Sequence, residues 1–145
     1  MPRLTNDIKE ASKITSEEWK EWTKTVWTIA NISDAAHPAV FPIEIPHRLI
    51  KMFSFWGETV LDPFSGTGTT GKASLNNGRK YIGIDTNQSF HEIALQRLNE
   101  HAVQNNIENV DEKVSLYNKN SLQMDFIQDN SVGVVITSPP YWNKA

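Results

Sequence analysis

The sequence predicts an α/β fold, doubly wound, with about four parallel strands and helices on both faces. Two observations carry this. Apolar runs of strand length alternate with helical segments from residue 57 onward. The last of these runs, Val132-Gly133-Val134-Val135-Ile136-Thr137, is almost wholly apolar, as suits a strand buried on both faces of a parallel sheet.

The elements follow in order. Residues up to about Lys13 are polar and expected to be poorly ordered. Residues 14–56 form a helical lead-in, opened by the capping box Thr15-Ser16-Glu17-Glu18. Trp19, Trp22 and Val26 then fall on one helical face as packing residues. A linker covers residues 31–42. Pro46 suits the first turn of a second helix with Leu49, Ile50 and Phe53 as its buried stripe, ended by Gly57. Residues 57–145 hold the sheet. Its strands are Thr59–Asp62, Lys80–Asp85, Val114–Tyr117 and Val132–Thr137. One helix runs from the glycine turn to about Asn76 and stops at Asn77-Gly78. A longer one carries Phe90, Ile93, Ala94 and Leu98 on one face, and Leu122–Ile127 forms a short helix or turn.

The 145 residues fit one domain. No stretch is long and apolar enough for a bilayer and no apolar signal region opens the chain, so a cytoplasmic protein without membrane contact is expected. The absence of cysteine excludes disulfides and cysteine-zinc sites, and no metal site is expected. It also excludes methylation of a cytosine ring carbon, which needs a thiolate nucleophile. The net charge of −3 lacks the basic excess of a chain that grips duplex DNA alone.

Asp62-Pro63-Phe64-Ser65-Gly66-Thr67-Gly68-Thr69-Thr70-Gly71 joins a strand to a helix. Glycines there let backbone N–H groups approach a ligand. Gly66, Gly68 and Gly71 match the dinucleotide pattern, and Asp85 stands at the next strand end. Gly66–Lys72 nearly matches a nucleotide-triphosphate loop, but Ala73 replaces the hydroxyl that would hold magnesium. S-adenosyl-L-methionine needs the same glycine turn and acid. Glycine spacing alone leaves the dinucleotide and S-adenosylmethionine readings open.

Thr137-Ser138-Pro139-Pro140-Tyr141-Trp142 follows the fourth strand, at the sheet end where α/β ligands bind. Two prolines stiffen this loop, and Tyr141 offers a flat face for a base. Nothing in hydride transfer calls for such a set.

Together these segments resemble the DNA amino-methyltransferases. Asp62–Thr70 is similar to their cofactor motif, Asp-Pro-Phe-x-Gly-x-Gly-Thr-Thr, and Ser138-Pro139-Pro140-Tyr141 to their catalytic motif. The serine, followed by Trp142, is the form more typical of cytosine-N4 enzymes than of adenine-N6 enzymes. His37-Pro38-Ala39-Val40-Phe41-Pro42 resembles the segment that closes over the methionine end, and residues 14–29 its Trp-rich lead-in. The resemblance implies a Rossmann-like methyltransferase fold with an incomplete sheet and S-adenosyl-L-methionine as cofactor. DNA would be the substrate, as in restriction-modification. It assigns Ser138, Pro139, Pro140 and Tyr141 to catalysis. Asp62, Phe64, Gly66, Gly68, Thr69, Thr70, Asp85, Asn120 and His37 would lie at the cofactor. Asn120 and Gly133 stand where the family commonly carries aspartate.

The order of motifs, with the glycine loop before the serine loop, resembles a circular permutation. The chain ends three residues after Trp142. A truncated or split enzyme is therefore expected, with a second polypeptide that pairs with the apolar fourth strand and supplies target recognition.

Overall fold

The structure, a computed structural model, describes residues 3–30 and 42–140. Helix α1 (Asn6–Ala11) lies in the segment expected to be poorly ordered. Thr5 caps it, and the Ser12 hydroxyl behind it accepts the Trp56 N–H at 2.7 Å, which ties the segment to the rest of the fold. Helix α2 (Ser16–Trp22) carries the expected capping box, with both reciprocal hydrogen bonds formed, at 3.0 and 2.9 Å. The expected three-residue packing face is corrected. The helix ends at Trp22, so Val26 falls outside its register, and Trp22 is buried whereas Trp19 is 52% exposed.

Helix α3 (Glu44–Phe53) has Pro46 in its first turn. Ile50 is fully buried and Leu49 partly so, but Phe53, expected in the same stripe, is 61% exposed. The helix also ends earlier than expected, at Ser54, whose hydroxyl donates to the Ile50 carbonyl. Arg79 then closes that end: its guanidinium donates to the Ser54 carbonyl at 2.6 Å and to the Ser54 hydroxyl at 3.1 Å. This is the helix end where a cation is favourable.

The strands are β1 (Thr59–Asp62), β2 (Lys80–Ile84), β3 (Val114–Tyr117) and β4 (Val134–Val135), all parallel in the order β3-β2-β1-β4. Between them lie α4 (Thr69–Asn76), α5 (Gln88–Gln104) and the single turn α6 (Val110–Lys113). The expected strand Val132–Thr137 is shortened to its centre, although the Gly133 and Ile136 N–H groups still pair with the Thr59 and Leu61 carbonyls. Residues 122–127 form turns rather than a helix.

Side chains alternate between the two faces of each strand, and the register assigns them. Val60, Tyr81, Val114 and Val134 share one face. There Val60, Tyr81 and Ile136 pack with Ile50 of α3, Ala73 and Leu75 of α4 and Leu98 of α5 to form the core. Among the described residues, the helices that build the core all lie on this face. The opposite face carries Leu61, Ile82, Ser115 and Val135. Turns take the place of helices on it, with Leu61, Met124, Ile127 and Val132 bordering a cavity of about 280 Å³. Tyr117 packs against Phe126 of the same segment, with the ring centroids 4.5 Å apart.

β4 is a sheet edge among the described residues, and Val135 on it is 55% exposed. Its apolar run suits a strand buried on both faces, and among the described residues β4 pairs with β1 alone. Gly133 has a local cause. A Cβ there would lie 2.7 Å from a Glu58 carboxylate oxygen, which itself accepts the Phe55 N–H at 2.8 Å.

Gly71 plays a comparable role inside the core. An added Cβ would lie 2.6 Å from the Tyr81 ring, which is wholly buried. Gly71→Ala is expected to destabilise the fold by about 1–3 kcal/mol through overpacking. Urea unfolding measures this, and an unchanged midpoint would show that the Tyr81 ring can move aside.

Candidate active site

The site forms where β1 and β4 end side by side. Asp62, the last residue of β1, is 1% exposed. Its Oδ1 accepts two hydrogen bonds, from the Phe64 N–H at 3.1 Å and from the Thr137 hydroxyl at 2.7 Å. The first folds the start of the glycine loop back on the strand. The second crosses 75 residues of chain and fixes the entry to the Ser138-Pro139-Pro140 loop. One buried carboxylate therefore holds both loops.

Burial raises the Asp62 pKa above its ordinary value. The bonds from Thr137 and the Phe64 N–H oppose that rise, Thr70 opposes it more weakly, and nearby Asp85 adds to it. The Thr70 hydroxyl is itself buried without a geometrically sound hydrogen bond.

The glycine loop bends through the left-handed region at Gly66 (φ 52°) and Gly68 (φ 87°), where glycine is strain-free. Gly68 is the N-cap of α4, and Thr69 and Thr70 open the helix without an acidic residue in its first turn. An added Cβ at Gly66 would meet nothing within 4 Å, so the loop is open on that side. The backbone N–H groups at this helix end favour an anion. The Phe64 ring is 44% exposed beside them.

Asp85 follows β2 and is half-buried. Its two oxygens accept the Gly66 N–H at 2.9 Å and the Asn87 N–H at 2.8 Å. Each retains a lone pair for a further donor. The Asp85 carbonyl accepts from the Asn118 amide at 3.0 Å, which draws the end of β3 alongside. Asn120 lies beyond, exposed, with its Oδ1 accepting the Leu122 N–H.

The structure thus gathers Asp62, Phe64, Gly66, Gly68, Thr69, Thr70 and Asp85 around one loop, with Ser138, Pro139 and Pro140 leading away exposed from Thr137. His37, Tyr141 and Trp142 lie outside the described residues. Two contributors escape sequence reasoning. Thr137 belongs to the serine motif, yet nothing in the sequence pairs it with Asp62. Arg97 of α5 donates to the Thr67 hydroxyl at 2.6 Å, and its only sequence signal is its place beside Leu98 on the inward side of α5. Gly71, counted with the ligand glycines by spacing, serves the packing of Tyr81.

The arrangement fits S-adenosyl-L-methionine. It combines an open glycine turn, a helix N-terminus that favours an anion, and a carboxylate at the next strand end with acceptor capacity left.

Comparison with known proteins agrees. A sequence profile described as DNA methylase, for enzymes of the N6 and N4 type, matches residues 2–96. The Type II methyltransferase M.MjaI of Methanocaldococcus jannaschii is 41% identical over 97 residues, covering 63% of this chain and 32% of that protein. The Type II methyltransferase M.BglI of Bacillus subtilis is 36% identical over 89 residues, covering 60% and 26%. A candidate DNA modification methylase from Thermus thermophilus superimposes with a TM-score of 0.62 at 28% identity, over 82% of this chain and 44% of that one. The same Thermus protein has been solved in complex with S-adenosyl-L-methionine. The chain therefore spans about a third or less of the two curated relatives and under half of the solved one.

The buried Asp62 carboxylate makes stability depend on pH. Because its pKa in the fold is raised, the native state binds a proton more tightly than the unfolded chain does. Its contribution is therefore most favourable below the ordinary value of 3.8 and is lost as pH rises through the raised one. Asp62→Asn keeps an acceptor for Thr137 and the Phe64 N–H but carries no charge. The variant is expected to gain stability relative to the native chain as pH rises through that window, read from urea midpoints at stepped pH. A difference independent of pH would contradict the buried charge.

Proposed function

Because the chain belongs to the DNA methylase family, we propose that it is the cofactor-binding and catalytic-loop portion of a site-specific enzyme methylating the N4 amine of cytosine. Its setting would be restriction-modification, as the Type II names of its relatives suggest. The observation that carries this reading is the Thr137–Asp62 hydrogen bond, which joins the serine loop to the glycine loop.

S-adenosyl-L-methionine, when bound, supplies an electrophilic methyl group. On this chain, backbone groups of Phe64, Gly66 and Gly68 line the cofactor. Thr69 and Thr70 face its carboxylate at the start of α4, Asp85 accepts from the ribose hydroxyls, and Asn120 lies toward the adenine. His37 is assigned to the methionine end. Asp62 contributes by holding the loop rather than by touching the ligand.

A cytosine amine is a poor nucleophile because its lone pair is delocalised into the ring. The Ser138 hydroxyl oxygen and the Pro139 carbonyl accept hydrogen bonds from the two amine hydrogens. This favours a tetrahedral nitrogen whose lone pair points at the methyl carbon. The new N–C bond would take its methyl group from the cofactor's sulfonium, which would leave as a neutral thioether, and the amine's proton would pass to solvent. Pro140 keeps the loop stiff. Tyr141 stacks on the base once it has left the helix.

A second polypeptide is part of the proposal. The edge at β4, with Val135 exposed, favours a partner that extends the sheet and reads the DNA. The formal charge of −3 supports a separate DNA-holding element.

Nucleoside mass spectrometry tests the reading. DNA is incubated with S-adenosyl-L-methionine and this chain, with and without the polypeptide encoded beside it. N4-methylcytosine is expected only with both, and Ser138→Ala is expected to lower kcat about 10²-fold. N6-methyladenine would overturn the choice of base. Full activity of the chain alone would overturn the need for a partner.

A further inference from the structure

The tightest part of the glycine loop is Gly66-Thr67-Gly68, one side chain between two left-handed glycines. Glycine has the most backbone freedom to lose on ordering, so something outside the segment must impose its shape. On the strand side, Asp85 Oδ2 holds the Gly66 N–H at 2.9 Å. The opposite hold comes from α5. Arg97 Nη1 donates to Thr67 Oγ1 at 2.6 Å, and Thr67 is only 6% exposed. Hydrogen bonds from a charged donor are the stronger kind.

The placement follows from helical spacing. Ala94, Arg97 and Leu98 stand at i, i+3 and i+4 and so share one side of α5. Ala94 and Leu98 back the loop directly: a Cβ added to Gly68 would meet them at 3.4 and 3.5 Å. Arg97 extends this wall to Thr67. At Gly66, by contrast, the loop is open. The guanidinium therefore acts from behind the loop, away from the face that a ligand would occupy.

We propose that Arg97 is a positioning residue for the cofactor loop, clamping Thr67 so that the Gly66–Gly68 backbone is held in its ligand-ready shape before binding. This rests on the cofactor assignment made above. Preorganisation of this kind raises affinity by removing the cost of ordering the loop during binding.

The test uses Arg97→Met, which keeps the apolar stem, Thr67→Val, and Arg97→Lys, which restores a donor. Calorimetry with S-adenosyl-L-methionine gives affinity. Hydrogen exchange without cofactor gives the protection of the loop amides, and thermal melts give global stability. We expect Arg97→Met and Thr67→Val each to weaken binding about tenfold. The double variant should be no worse than either single one. The Gly66, Thr67 and Gly68 amides should exchange faster while α4, α5 and the melting temperature hold, with Arg97→Lys recovering most of the affinity. Native affinity in both single variants overturns the proposal. So does a loss of protection spread equally through α4 and α5, which would mark a purely structural contact. If the native chain binds no S-adenosyl-L-methionine, the cofactor assignment fails, and loop exchange still decides whether Arg97 orders the loop.

Discussion

A carboxylate with no cation beside it is an expensive group to bury. Asp62 has none beside it among the described residues, and the geometry of the site depends on it. Its position at the end of β1 is secured by the pairing of that strand with β2 on one side and β4 on the other. The Phe64 N–H and the Thr137 hydroxyl both turn toward Oδ1. Those bonds offset part of the desolvation cost, and in doing so they set the paths of two loops that the chain places far apart. The cost of one charge is thus converted into the relative position of the glycine and serine motifs.

The layers explain why the same molecule is finished on one side and open on the other. On the core face, each close approach is matched by a missing side chain or a capped end. Gly71 admits the Tyr81 ring, and Gly78 lies where a Cβ would fall 2.1 Å from the Trp56 indole nitrogen. Arg79 closes α3. The opposite face has no such fitted layer among the described residues, only turns around Leu61, Met124 and Ile127. The β4 edge continues this open side. The two features lie on the same side of the described residues, and they are the surfaces that the proposed second polypeptide would cover.

Much of this is legible from local pattern. Strands β1 and β3 and the capping box of α2 agree with their sequence signals residue for residue, because each depends on neighbours in the chain. Asn77-Gly78 stops α4 for the same reason, with Gly78 at positive φ. Val26 departs from its expected face because helical periodicity assumes that the helix continues, whereas α2 ends at Trp22; Phe53 keeps its helical position but, as the last residue of α3, is exposed. The strand at 132–137 reads as interior because an apolar run records what a strand is suited to touch. It does not record whether the neighbour is on the same chain.

The sequence by itself determined the parallel α/β class, the glycine turn and the serine-proline loop, since each is written in contiguous residues with a fixed local geometry. Only the tertiary structure decided that Asp62 serves as the tie between loops, that Gly71 answers to Tyr81, and that Arg97 reaches Thr67. Those relations link residues far apart in the chain. They come from burial and from hydrogen-bond geometry in three dimensions, which no local pattern encodes.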